Sequence, residues 1–304
     1  MHKLVFFSKS YKKDMYRARR MAESFQRFNT DNIPLYLSVP AKEIDDFKNC
    51  FKGISCDYFA DEDILNLSNQ VNGTLPELYP PHLIQQLIKL EFWRTGLCEN
   101  YAWIDSDSYF IKPFKVSDFF YDEETPYIVQ DEFIAHEEMK RMKHVPYKIR
   151  KKRIYNIDTL IKKFRGLFNN TGAFLAFGGS TPIIWSCRVL KSFNEDYLKS
   201  RNKNIYEILY EYPCETQLYG EYLHHSKVIP IMPISHMFKS FYYADDFFLS
   251  QEMGESEYSL SKNYFGICVQ SNWARIKETK TTKDRIKKRF DEFRRAIGLL
   301  KFER

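Results

Sequence analysis

The chain has 304 residues with a formal net charge of +6, 44% of them hydrophobic and 17% aromatic. That composition excludes a disordered chain and suffices to bury a sizeable core as one large domain or two small ones. The charge is uneven: Lys140 to Arg165 holds eleven Lys/Arg against Asp158 alone, and Arg275 to Arg304 twelve against five acids, on an otherwise acidic chain. This distribution excludes the broad basic stripe of a general nucleic-acid binder and suggests two local anionic partners.

The opening "MHKLVFFSKSYKK" has an apolar run too short for a signal peptide and no small-residue cleavage site, and no stretch of 18 apolar residues occurs, so a cytoplasmic chain is expected. "KLVFF" reads as a first buried strand. From Asp14, a candidate N-cap, Met15, Ala18, Ala22, Phe25 and Phe28 recur at helical spacing. "IPLYLSVP" and "ISCDYFA" are short apolar runs bounded by Pro, Gly and Asp, suited to two further strands. This alternation predicts an α/β layer architecture.

A loop rich in Asn, Gly and Pro is predicted over residues 66–81, followed by the helix "PHLIQQLIKLEFWRTG", with Pro81 in its first turn and Gly96 at its stop. It delivers the chain into the strand "YAWID". "YIVQDE" and "GAFLAFGG" are later strand candidates, and "CETQLYGEYLHH" predicts a helix before the apolar strand "KVIPIMPIS". The main domain is expected over residues 1–275, divided into halves 1–112 and 113–275. Six cysteines lack any CxxC or Cys/His ligand spacing, which fits reduced structural thiols.

The last stretch carries Ile286, Phe290, Phe293, Ile297 and Leu300 at intervals of four, three, four and three, with Lys and Arg around them. It predicts a basic amphipathic helix over 276–304. Such a helix lies on an anionic membrane surface, docks on the core, or zips with a second copy in a homo-oligomer. The internal segment "KRMKHVPYKIRKKRIYN" has the composition of a mobile basic loop or short helix pair. It is either a solvated charged face or the contact for an anionic acceptor such as a diphosphate-lipid or phosphorylated glycan.

The chemistry centres on "YAWIDSDSYFIKPF". Residues i and i+2 of a strand share a side, so Asp105 and Asp107 are expected to converge at a strand's carboxyl end, where α/β folds place their ligands. Two adjacent carboxylates call for a cation between them, and oxygen ligands match Mg²⁺ or Mn²⁺; the bland alternative is a solvated turn. A haloacid-dehalogenase-type phosphatase also carries an aspartate pair, but on its first strand and followed by Thr or Val. Here three strand candidates precede it and Ser108 follows.

"PHLIQQLIKLEFWRTGLCENYAWIDSDSYFIKPF", "NNTGAFLAFGG" and "CETQLYGEYL", in that order, resemble the bacterial GT-A fold glycosyltransferases of surface-polysaccharide assembly, over roughly residues 1–240. The resemblance implies a Rossmann-like mixed sheet flanked by helices and metal-dependent sugar transfer from a nucleotide-diphosphate donor, a UDP-sugar. The acceptor would be a hydroxyl of a lipopolysaccharide, capsule or other lipid-linked glycan at the inner face of the inner membrane. Asp105 and Asp107 would be its DxD pair, with Ser106 beside the donor. Gln86 and Lys89 would face the nucleotide or diphosphate, and Ser8, Lys9, Ser10 and Tyr11 would line the nucleoside pocket.

The same resemblance puts Glu215 where inverting members keep a carboxylate base. Cys-Glu-Thr stands there rather than an acidic pair, so a retaining mechanism stays open, and Glu215 could simply complement its helix N-terminus. His236 would be a third ligand to the ion, with His224 and His225 as competitors or a plain core or surface histidine as the alternative. Asn169, Asn170 and Thr171 would meet acceptor or donor hydroxyls, or form an ordinary turn. A metal-dependent phosphohydrolase or nucleotidyltransferase, and a non-catalytic polysaccharide-assembly scaffold, are the competing readings.

Overall fold

The computed structural model describes residues 1–142, 147–179, 181–242 and 244–270. Strand β1 (His2–Lys9) leads to α1 (Met15–Phe28), and β2 (Leu35–Val39), α2 (Ile44–Cys50), β3 (Asp57–Ala60) and α3 (Asp61–Asn72) follow. Helix α4 (Pro81–Glu91) returns to β4 (Cys98–Trp103), which turns into β5 (Ser108–Phe110). Next come β6 (Tyr127–Val129), β7 (Asp131–Glu132), α5 (Ala135–Arg141), α6 (Tyr147–Phe168), β8 (Leu175–Ala176), β9 (Ile183–Ser186) and α7 (Cys187–Ser192). The described chain ends with α8 (Ile205–Glu211), α9 (Glu215–Ser226), β10 (Met232–Ile234), β11 (Phe238–Phe241), α10 (Ala244–Glu252), α11 (Glu257–Leu260) and β12 (Gly266–Val269).

The central sheet has the order β3-β2-β1-β4-β9, with the first four strands parallel and β9 antiparallel to β4. A parallel sheet is covered on both faces, which is why "KLVFF" is apolar without alternation. Leu4 and Phe6 point to one face and pack with Ala18, Met21, Ala22 and Phe25 of α1. Val5 and Phe7 point to the other and pack with Leu83 and Leu87 of α4 and with Phe92. Full burial of one such Phe contributes about 2 kcal/mol. Strand order leaves β1 in one direction toward β2 and in the other toward β4, so the crevice beyond the carboxyl ends of β1 and β4 lies at a topological switch point, where open α/β sheets hold their ligands.

The two halves of the chain share sheets. Strand β9 completes the central sheet, and β12 pairs with β5 in the small sheet β11-β12-β5. The mixed α/β architecture is as expected, with three local differences. Residues 61–72 form α3, although a loop is expected from residue 66: Asp61, Glu62 and Asp63 favour a helix N-terminus, and Gly73 at φ +80° ends it. "GAFLAFGG" contributes only the two residues of β8, with Gly172 and Gly179 at positive φ on either side. The basic segment after residue 146 is one helix of 22 residues whose Ile154, Ile161, Phe164 and Phe168 are buried, so apolar periodicity outweighs the charge run. Residues 276–304 lie outside the described residues. Among the described residues no helix is long and apolar enough to cross a membrane.

Candidate active site

The aspartate pair sits in a turn. Ile104 N–H still donates to Phe7 at 2.9 Å, and then Ser108 N–H donates back to the Asp105 carbonyl at 3.1 Å, turning the chain from β4 into β5. Strand alternation therefore does not orient the two carboxylates, and they take different partners. Asp105 Oδ1 accepts from Lys89 Nζ at 3.1 Å. Asp107, which is buried, accepts from the Cys268 thiol at 3.5 Å, while its carbonyl takes Val269 N–H at 3.0 Å. Burial, followed by the Asp107 and Asp105 carboxylates, pushes the Cys268 thiol up, so it stays protonated and able to donate.

Lys89 organises the site. Helix α4 is anchored by Leu83, Leu87, Ile88 and Leu90, and the last turn carries the buried Lys89 to the end of β4. Its ammonium stands 3.6 Å from the Trp103 ring centroid and 3.5 Å from Glu215 Oε1. Burial lowers its proton affinity, but the Asp105 and Glu215 carboxylates outweigh burial and hold it above the ordinary lysine value, so it is charged. Glu215 opens α9 with 12% of its side chain exposed, so the candidate base and the first aspartate are joined by one ammonium. Gln86 Oε1 and Trp103 Nε1 are buried without a hydrogen-bond partner among the described residues.

The tip of β1 adds a second group. Ser8 and Ser10 are buried, and among the described residues neither hydroxyl has a hydrogen-bond partner. Between them Lys9 pairs with Asp61 at 2.9 Å, and Ser38 at the adjoining end of β2 donates to the same carboxylate at 2.6 Å. Burial raises the Asp61 carboxyl against the pull of Lys9 and Ser38. Tyr11 is half-buried just beyond.

A third group lies around Gly178 and Gly179. A side chain on Gly178 would meet Thr216 Oγ1 at 2.7 Å, next to Glu215; one on Gly179 would meet the Tyr242 hydroxyl at 2.9 Å and His236 Cε1 at 3.5 Å. His236 Nε2 pairs with Asp131 Oδ2 at 2.7 Å, and this hydrogen bond, against burial, lowers the Asp131 carboxyl. Burial raises the Tyr242 hydroxyl to about 12, so it is a neutral donor at ordinary pH.

The expected cation site meets a mixed fit. Carboxylate oxygens with one imidazole are suitable donors for Mg²⁺ or Mn²⁺, and His236 Nδ1 is buried without a hydrogen-bond partner among the described residues. Placement differs: Asp105 is held by Lys89 and His236 by Asp131, and among the described residues no three His, Cys, Asp or Glu side chains converge on one point. Asn169, Asn170 and Thr171 also lie apart from Glu215. Asn170 donates to the Glu221 carbonyl at 2.8 Å and carboxylate at 2.6 Å, about 9 Å along α9 from Glu215. His224 pairs with Gln130 at 2.8 Å, and His225 is exposed.

Ser38, Asp61, Trp103, Asp131 and Tyr242 join the site without having been singled out in the sequence. Only Asp61 carried a local signal, a carboxylate directly after a strand and opening a helix; the others are brought in by tertiary contacts. No protein-family signature matches the sequence, and no curated protein resembles it closely enough to match. Among solved structures the chain is similar to the apo form of mouse xyloside xylosyltransferase 1, at 9% identity and a TM-score of 0.44 over 89% of this chain and 99% of that one, a distant likeness that bears on neither activity nor substrate.

Proposed function

We propose that the chain is a glycosyltransferase that moves a sugar from a nucleotide-diphosphate donor, a UDP-sugar, to a hydroxyl of an acceptor glycan. The observation that carries the reading is the charged Lys89 held between Asp105 and Glu215 at the switch-point crevice of the parallel sheet. An ammonium there neutralises charge on a departing diphosphate, and preorganised charge in a half-buried cleft is the largest single contribution such a site makes. The partnerless Ser8 and Ser10 hydroxyls at the tip of β1 are hydrogen-bonding groups suited to a ribose or nucleobase. In the inverting form, the acceptor oxygen bonds to the anomeric carbon, the bond to the diphosphate breaks, the acceptor proton passes to Glu215, and the nucleoside diphosphate departs.

A requirement for Mn²⁺ or Mg²⁺ belongs to the same proposal and rests on the donor chemistry of Asp105, Asp107 and His236; bound there, the ion would supply further charge neutralisation at the diphosphate. A lipid-linked acceptor of lipopolysaccharide or capsule type, location at the inner face of the inner membrane, and membrane contact through residues 276–304 complete the reading. Thermal melting with UDP and Mn²⁺ together should rise above the effect of either alone, and Asp107→Ala should abolish that coupling. Glu215→Gln should stop transfer and spare UDP binding. A melt indifferent to UDP, accompanied by turnover of a simple phosphate ester, would replace this reading with a phosphohydrolase.

A further inference from the structure

Helix α6 presents a cationic face that no carboxylate among the described residues neutralises. At 100° per residue Lys148, Lys151, Lys152 and Tyr155 fall within an arc of about 100°, opposite the buried Phe164 and Phe168. The three lysines are exposed, and among the described residues no carboxylate pairs with them. The helix has one acid, Asp158, and it is taken by Lys162 at 2.6 Å. Large apolar groups stand beside the lysines: Tyr147, Ile149 and Tyr155 are 41%, 50% and 68% exposed.

A solvated charged face does not need exposed Tyr and Ile among its lysines. Lysines with interleaved tyrosine and aliphatic side chains are the composition of a surface that seats in the headgroup region of an anionic bilayer, cations on the phosphates and rings at the interface. Where α6 follows α5, Tyr147, Arg150, Met139 and Lys140 line an open cleft of about 550 Å³, with Arg150 held by the Met139 carbonyl at 3.1 Å and Lys140 by Glu137 at 3.0 Å. The same helix reaches the candidate active site: the Arg153 guanidinium lies 4.7 Å from the Tyr242 ring centroid, and the Tyr242 hydroxyl borders Gly179 and, past it, His236. Lys148 is about 8 Å along the helix from Arg153 and about 140° around it, so the lysine face and the site lie on different sides of α6.

We infer that the outer face of α6, built on Lys148, Lys151 and Lys152 with Tyr147, Ile149 and Tyr155, docks the protein on an anionic bilayer surface, with the active-site cleft across the helix, about one helix diameter away. The purpose of the docking rests on the sugar-transfer reading, since it would present a lipid-linked acceptor to the Gly178–Gly179 side of the site; the docking itself does not.

The test is co-sedimentation of the full chain with vesicles of phosphatidylcholine containing phosphatidylglycerol, against pure phosphatidylcholine, without nucleotide or sugar. The triple variant Lys148→Gln/Lys151→Gln/Lys152→Gln should lower partitioning onto the anionic vesicles on the order of a hundredfold, since each lysine at such a surface contributes roughly a factor of five. A control triple of equal charge change on exposed lysines elsewhere, Lys42→Gln/Lys48→Gln/Lys52→Gln, should stay near the parent value. Partitioning unchanged in the first triple, or lowered equally in both, would overturn the inference. UDP binding, read separately by melting, should be retained in both triples. Its absence in the parent chain would instead strike the sugar-transfer reading and leave the vesicle result standing.

Discussion

Replacing Lys89 with Met removes the ammonium and keeps most of the aliphatic bulk. At an effective dielectric of about 20, unit charges 3.1 and 3.5 Å apart attract by about 5 kcal/mol each. Water screens the Asp105 share, because that side chain is 38% exposed, down to about 1 kcal/mol. Glu215, at 12%, keeps more of its share, and its carboxylate is left without a cation. Setting these against the cost of desolvating the lysine gives a net loss of about 3 kcal/mol, at the lower end of what removing one partner of a buried pair costs. Urea denaturation measures it. The pair Lys89→Met/Glu215→Leu should lose clearly less than the sum of the single changes, because the stranded carboxylate is gone. The pH dependence has a definite sign. A lysine raised above its unfolded value contributes fully below about pH 10.4 and loses that contribution as pH climbs through the higher folded value. The gap between parent and Lys89→Met should therefore be flat across neutral pH and close only in strong alkali. A single-variant cost under about 1 kcal/mol, or strict additivity of the pair, would refute Lys89 as the clasp.

Three further outcomes are expected. Gly220→Ala would set a methyl 2.0 Å from the Phe177 ring and should cost about 2 kcal/mol or more by thermal denaturation, with partial recovery in Gly220→Ala/Phe177→Leu. Ser8→Ala and Ser10→Ala each remove a buried hydroxyl that has no partner, so stability should hold or rise while UDP binds several-fold more weakly; a fall in stability would show that those hydroxyls are engaged in the free protein. The Asp131 carboxyl is lowered by its hydrogen bond to His236, so that contribution is present above about pH 4 and lost as pH falls through the folded value. The stability gap between parent and His236→Phe should therefore persist at neutral pH and close in acid, and a gap that widens in acid would contradict the pairing.

The strand and helix order of the first hundred residues was legible because each element is written in local periodicity. The continuous "KLVFF" run and the i, i+3, i+4 recurrence in α1 and α4 need no distant partner to be read. Helix α3 was half missed because its Asn and Ser residues resemble a loop, while its evidence lay in three acids at one end and Gly73 at the other. The basic run was legible as a helix pair but not in its length: its lysines are conspicuous, whereas the apolar Ile154, Ile161, Phe164 and Phe168 that extend α6 to 22 residues are widely spaced.

The site was legible as an inventory and not as a set of partners. Lys89, Asp105 and Glu215 were each singled out, but nothing local says that one ammonium joins residues 16 and 126 positions away in the chain. That pairing depends on α4 ending beside β4 and on α9 starting, at Glu215, within reach of the same ammonium. Two aspartates one residue apart repel if they face each other, and the sequence offered a cation between them or a solvated turn as relief. The fold adds protein partners to either reading. It places the pair in a turn rather than a strand, gives Asp105 a lysine from α4 and Asp107 a thiol from β12, and so stabilises each carboxylate through a different element. Any ligand drawn to this crevice by its negative charge meets Lys89 already charged and already oriented, so the electrostatic work of the site is done by the folding of α4 onto β4 before the ligand arrives.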